Sequence, residues 1–447
     1  MLQSIDMPLL VILGIGAVLA HVALLVAARW VNVVFLAGAA FVLVSPMSVA
    51  VDLPGVEGLK WVRVYLAMLI LVVYALAFRV VRIGPAGATF LLFLGFYTLA
   101  GIWSEVPVAA VKFKVMYAIV AVGGLLLAAS VRSFADFHSG LRILTIAGLF
   151  YALLVMAGIA REPGQLLSGR LSVWGWNANR IGHDAAAVLA LCLFVGVYDR
   201  TKIWKLYALS LAGFFGFIIL ATGSRAATGM AAISAMIMLA PLFRRPVLLT
   251  TLAIIGGLAV NFFMQAVSSH ALERIGEVDF SNRQMVWHHG LELFFENPAT
   301  GAGWVFDTSV RGSAATANLH SIYVQILAET GLAGAALFGL TLVVCGIKSL
   351  KILNDVRKTP GSAPYAFFAF SLAGATLAHG MAESSTLQGT NLNGLLLPFA
   401  LGMMDRVPRL IRDQAALQAE YDAAEEGDGE YGQYGEFEGY GEEPQTA

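Results

Sequence analysis

The chain falls into about thirteen apolar runs, each close to the length of helix that crosses a hydrocarbon core of about 30 Å. They cover residues 8–28, 33–51, 64–78, 85–103, 115–130, 143–160, 181–198, 206–222, 226–243, 247–266, 322–347, 365–381 and 392–404. Lipid offers the backbone no hydrogen-bond partners, so a spanning segment must satisfy its own peptide groups. Continuous apolar runs without in–out alternation do that as helices. The predicted fold class is therefore all-α: a polytopic membrane protein of about 12–13 transmembrane helices. The last run is short, which leaves twelve open. The first run lacks a basic leader and a small-residue cleavage site, so it reads as a retained span.

Charge is scarce and confined to the gaps. The chain is 58% hydrophobic and 13% charged, with a mean hydropathy of +0.76. A soluble domain carries about a quarter charged residues. Alternate gaps hold 17 and 11 of the 28 Lys and Arg residues. The richer set is expected to face the cytoplasm. That assignment puts the C-terminus inside and the one long hydrophilic stretch, 267–319, outside.

Residues 1–405 read as one transmembrane domain with no internal repeat. Residues 406–447 read as an acidic, disordered cytoplasmic tail. From Glu420 onward there are ten acidic residues and neither Lys nor Arg, with a Tyr/Gly-rich repeat. Cys192 and Cys345 lie inside apolar runs and suggest no metal site.

Within the long loop, Ser281 can cap a helix over residues 282–296 that ends at Asn297-Pro298. Trp287, Leu291, Phe294 and Phe295 make one apolar stripe along it. Such a helix is expected on the membrane surface or folded back over the bundle.

Several polar residues gather on the predicted outer face. His320 opens the span after the loop and is followed by Ser321, then Gly331-Leu332-Ala333-Gly334. Arg225 sits in the tight turn Thr222-Gly223-Ser224-Arg225. Arg283 opens the loop helix. Asn179 and Arg180 open the span at 181, and Glu383 ends the span at 381. A plain reading makes the arginines interfacial, with snorkelling stems. The chemical reading is that guanidinium groups bind phosphate through paired, directional hydrogen bonds. Similarly, His320 is either an inert helix cap or a general base, at a helix start that can help hold an anion. Glu383 is either a solvated helix end, a group that orients His320, or the base itself.

These patches resemble the O-antigen ligase and O-antigen polymerase superfamily of bacterial polysaccharide assembly. The resemblance rests on Asn177-x-Asn179-Arg180, on Thr222-Gly223-Ser224-Arg225, on Arg283 through Asn297-Pro298 and Gly301-x-Gly303, and on His320-Ser321 with Gly331 and Gly334. It implies a metal-independent glycosyltransferase without cofactor, in the bacterial inner membrane, with its site on the periplasmic face. The implied donor is an undecaprenyl-diphosphate-linked glycan. The implied acceptor is a sugar hydroxyl on lipid A core or on a growing polysaccharide.

Carried over residue by residue, His320 is the base, and Arg225 and Arg283 hold the diphosphate. Arg180, Asn179 and Glu383 are secondary candidates. Membrane lipid and a chain-length regulator are the further partners implied; nucleic acid is not among them.

Ligation and repeat-unit polymerisation share this chemistry and differ in acceptor, which leaves both open. A transporter or flippase of lipid-linked glycan is the rival of another class. It calls for polar residues at mid-membrane depth, whereas most spans read as uniformly apolar.

Overall fold

The computed structural model describes residues 30–47, 56–77, 83–166, 170–244, 281–304, 319–383 and 391–431. Among them are twelve α-helices and no strand. They are α1 (Trp30–Met47), α2 (Val56–Ala77), α3 (Pro85–Leu99), α4 (Pro107–Ser130), α5 (Phe134–Arg161) and α6 (Ala178–Tyr198). There follow α7 (Lys202–Ala221), α8 (Arg225–Leu239), α9 (Ser281–Glu296), α10 (Ile322–Lys358), α11 (Ala363–His379) and α12 (Leu392–Tyr431).

Eleven of the predicted apolar runs lie on these helices. The runs 8–28 and 247–266 fall outside the described residues. Among the described residues, seven helices are long and apolar enough to cross a membrane, and two shorter apolar helices accompany them. The protein is an all-helical, polytopic membrane protein, as the runs require.

The buried centre is α6. Its stretch from Ile181 to Gly196 is closed off almost entirely, and α7, α8, α5 and α11 pack around it. A second group forms where α4 packs against α12 and α2. Gly124 lies against the backbone at Leu395 and Phe399, where a Cβ would not fit. Small residues allow such close approach between helices that share no aqueous driving force.

Side chains cap the helix ends, some locally and some from distant elements. Ser133 and Asp136 form a capping box at the start of α5. Asp405 of α12 accepts the N–H groups of Ala86 (3.3 Å) and Gly87 (2.9 Å) in the first turn of α3. It also pairs with Lys348 of α10. Arg406 donates to the Val131 carbonyl at the end of α4 (2.6 Å). Arg142 of α5 forks onto Asp199 just past α6. Arg142, Lys348 and Arg406 all come from the richer basic set, and all share this end of the bundle.

Three features depart from the sequence prediction. First, α12 runs on to Tyr431, so residues 406–431 are helix where a disordered tail was expected; residues 432–447 lie outside the described residues. Second, α9 is the expected loop helix, but the face of it that meets α10 lies beside the predicted stripe, of which Trp287, Leu291 and Phe294 are half-buried. Val286, Gly290 and Leu293 meet Leu319, Val324 and Ala328, while Phe295 is exposed. Gly290 lets Val324 and Leu319 come close.

Third, Lys114 is not in a gap. Pro107 starts α4, so Lys114 lies about 10 Å into the helix. It is fully buried and pairs with the fully buried Glu329 at 3.0 Å. Removing either partner of such a pair costs about 3–5 kcal/mol, because the other charge is left alone in low dielectric.

Candidate active site

Helix α10 is not one rod. Gly331 has φ 60° and ψ −160°, a conformation closed to residues with a Cβ. The helical hydrogen-bond ladder breaks there, leaving a nine-residue segment, 322–330, ahead of the long remainder. A broken helix at membrane depth needs other partners for its peptide groups.

The loop after α9 supplies them. Leu332 N–H donates to the Pro298 carbonyl (2.8 Å) and Ala333 N–H to the Ala299 carbonyl (3.1 Å). In return, Ala302 N–H donates to Ala328 (2.8 Å) and Gly303 N–H to Glu329 (3.0 Å). Gly301 and Gly303 both take positive φ, and a Cβ on Gly301 would strike the backbone at Glu329 and Thr330. The glycines of both motifs therefore serve a single joint. Trp103 Nε1 adds a hydrogen bond to the Gly301 carbonyl (3.2 Å).

His320 stands at the free end of this short segment. Its φ is +48°, in the left-handed region that few non-glycine residues adopt. Ser321 then caps the segment by accepting from Val324 N–H. Ile322 N–H donates to the Gly380 carbonyl (2.8 Å), which pins the segment to the end of α11. Three residues later in that turn comes Glu383.

The side chains form a chain of contacts. His320 Nδ1 lies 3.3 Å from Glu383 Oε2. The other carboxylate oxygen, Oε1, accepts from Asn179 Nδ2 at 3.2 Å. Asn179 Oδ1 accepts from Arg170 Nη2 at 3.1 Å. Glu383 is almost fully buried, and the His320 side chain is about one-third exposed. A carboxylate on Nδ1 holds that nitrogen in the protonated form, so the lone pair sits on Nε2. The pairing also fixes the ring plane. A histidine oriented in this way can take a proton from a hydroxyl presented at Nε2.

The start of α6 places Asn179. Asn177 caps the helix by accepting Asn179 N–H (2.9 Å). One turn on, Gly182 faces Thr222, Ser224 and Ala227 with no room for a Cβ. The α7–α8 turn is thereby held against the first turn of α6. Gly223 makes that turn with φ +59°, and Ser224 caps α8 through Ala227 N–H. Arg225 is the first residue of α8, half-buried, at the same end of the bundle as His320.

Of the six expected site residues, the structure joins His320, Glu383 and Asn179 directly. Arg225 shares their end of the bundle. Arg180 turns another way: its Nε donates to the buried Asp184 at 2.9 Å and its Nη2 to Ser45 at 3.4 Å. Arg283 lies in the first turn of α9, and its side chain falls outside the described residues.

Arg170 joined the network without a sequence signal of its own. Lys114 and Glu329 did carry a signal. Pro107 is the favoured residue for a first helical position, and a charge within a span is a functional candidate by default. Below the site, His183 and His379 lie ring against ring at 3.9 Å, one turn beneath Asn179 and Glu383.

Residues 208–339 match the family model described as O-antigen ligase. The match runs from the middle of α7 through the Gly331 joint, and it takes in Arg225, Arg283 and His320. It stops short of Asn179 and Glu383. Among curated proteins, none matches the chain.

Proposed function

We propose that the chain is a member of the O-antigen ligase and polymerase superfamily, whose family model its residues 208–339 match, and that its site transfers a glycan from a lipid diphosphate to a sugar hydroxyl. At the family level it is a membrane glycosyltransferase of ligase or polymerase type. The observation that supports the finer reading is the His320–Glu383–Asn179 chain. It is the arrangement a general base needs: an imidazole part-exposed at a helix mouth, with its far nitrogen held by a buried carboxylate.

In the proposed reaction, the acceptor hydroxyl gives its proton to His320 Nε2. Its oxygen forms a bond to the anomeric carbon of the donor. The bond from that carbon to the diphosphate oxygen breaks, and the electron pair leaves with undecaprenyl diphosphate. Negative charge grows on the leaving group, so fixed cations beside it lower the barrier. Arg225 and Arg283 are the proposed cations; both lie within the matched segment. The His320 end is proposed to face the periplasm of a bacterial inner membrane, where a lipid-linked glycan would meet its acceptor. Ligation onto lipid A core and extension of a growing polysaccharide use the same step.

Purified protein, a lipid-diphosphate-linked glycan and a core or polysaccharide acceptor test the proposal. Product should form without a second enzyme and should vanish in His320→Asn and Arg225→Ala. Undiminished product from His320→Asn would overturn the assignment of the base. The acceptor that is consumed distinguishes ligase from polymerase.

A further inference from the structure

The segment that carries His320 is too short to hold its own position. It has nine residues, fewer than the dozen or so that an isolated helix needs to be even marginally stable. Its attachments are therefore what aim the histidine. Backbone bonds fix its two ends: Ile322 N–H to Gly380 at one, the Ala302 and Gly303 N–H groups to Ala328 and Glu329 at the other. These set its depth. Between them, the Tyr323 hydroxyl donates to the Leu377 carbonyl of α11 (3.0 Å), and among the described residues the one side-chain ion pair from this segment to another span is Lys114 of α4 with Glu329.

The pair is built with support on both sides. Gln325 Nε2 donates to Glu329 Oε1 at 2.7 Å, which leaves Oε2 for Lys114 at 3.0 Å. The Lys114 ammonium sits 4.0 Å over the ring of Tyr97, which packs edge-on against Tyr117. Both charges lie about 10 Å in from the starts of their helices, where water is excluded. Stability alone does not call for such a pair, since matched apolar side chains in its place are often neutral or better. A directional tie does something that apolar packing does not. It fixes the rotation of the segment about its axis.

We propose that Lys114 and Glu329 form a positioning lock, which sets the rotation of the 322–330 segment and so holds His320 in register with Glu383. The proposal rests on the reading of His320 as the base. Lys114 and Glu329 touch no reacting atom; they act through His320. An error of about 1 Å in the aim of a catalytic group can cost about 100-fold in rate.

The test uses the full-length purified protein with the lipid-diphosphate-linked donor. The double variant Lys114→Met/Glu329→Met should melt close to the parent. Its kcat should fall about 100-fold while KM for the donor stays within about twofold, because aim is lost and donor binding is not. Lys114→Arg, which keeps the charge, should retain most of kcat. Gln325→Leu, which removes the strut but keeps the pair, should lower kcat less, also at constant KM, and it serves in place of the double variant should that one fail to fold. Parent-like kcat in the folded double variant, or in Gln325→Leu where the double does not fold, overturns the lock. His320→Asn is run alongside: full turnover in that variant overturns the base itself, whereas an inactive His320→Asn with a fully active double variant removes the lock alone.

Discussion

Glu383 lies 3.3 Å from the Nδ1 of His320, across 63 residues of sequence and from the far side of a helix hairpin. The same carboxylate is held by Asn179 from a third helix. Three elements thus converge on one imidazole, and each contact restricts the next.

Removing the carboxylate should cost rate more than binding. Glu383→Gln keeps the shape and loses the charge that orients Nδ1–H. Its kcat is expected to fall about 100-fold, within the range that general-base catalysis supplies, with donor KM little changed. Asn179→Ala acts one step further out and should cost about tenfold. Steady-state kinetics on the purified variants checks both, and equal losses in the two variants would contradict the order of the chain.

The left-handed backbone at His320 makes a separate prediction about stability. Glycine adopts φ +48° without a Cβ penalty, and alanine does not. His320→Gly should therefore be more stable than His320→Ala by about 1 kcal/mol, although both lack activity. Thermal unfolding in one detergent measures the difference, and coincident melts would show that the position carries no strain.

Gly331→Ala tests the joint. The backbone there lies in a region reserved for glycine, and a Cβ would meet Ala299 and Gly301. A loss of about 3 kcal/mol is expected from the conformation alone. Gly339, further along α10, has open space around it, so Gly339→Ala should be neutral or slightly stabilising. A lower yield and an earlier melt for Gly331→Ala but not for Gly339→Ala is the expected pattern.

The opposite end of the bundle has its own pH dependence. Burial of Asp199 would raise its pKa, but the Arg142 fork, the Thr201 N–H and nearby His138 together hold the carboxyl below the ordinary carboxylate range. A carboxyl depressed in the folded state contributes stability that is fully present above its unfolded pKa. That contribution is lost as pH falls through the folded pKa. Thermal stability of the parent should therefore decline more steeply on acidification below about pH 4 than that of Asp199→Asn. Parallel acid profiles would remove Asp199 from the account.

Much of this architecture was legible in the sequence, because a bilayer leaves so few choices. Run length located the spans, and the charge count placed His320, Glu383 and Asn179 on one face before any contact was known. The break at Gly331 was not legible. The run 322–347 is apolar as a whole, and Gln325, Glu329 and Thr330 just ahead of Gly331 were read as part of one continuous span. Lys114 was misplaced for a related reason: a charge was taken to end a span, while Pro107 was already announcing the helix start. The α9 face that meets α10 was missed because it is built around a glycine, Gly290, and not an aromatic.

The joint at Gly331 makes residues 297–304 a splint for the histidine. The Ala328 and Glu329 carbonyls at the end of its segment are met by a stretch that comes before it in the chain. A change of length between Glu296 and Gly303 would shift those rungs and be felt at His320. An equal change at the Lys358–Pro360 turn, beyond the long part of α10, would not. Tolerance to insertion should therefore be lowest in a loop with no chemistry of its own, and the spacing from α9 to Gly303 is as much a property of the site as the imidazole.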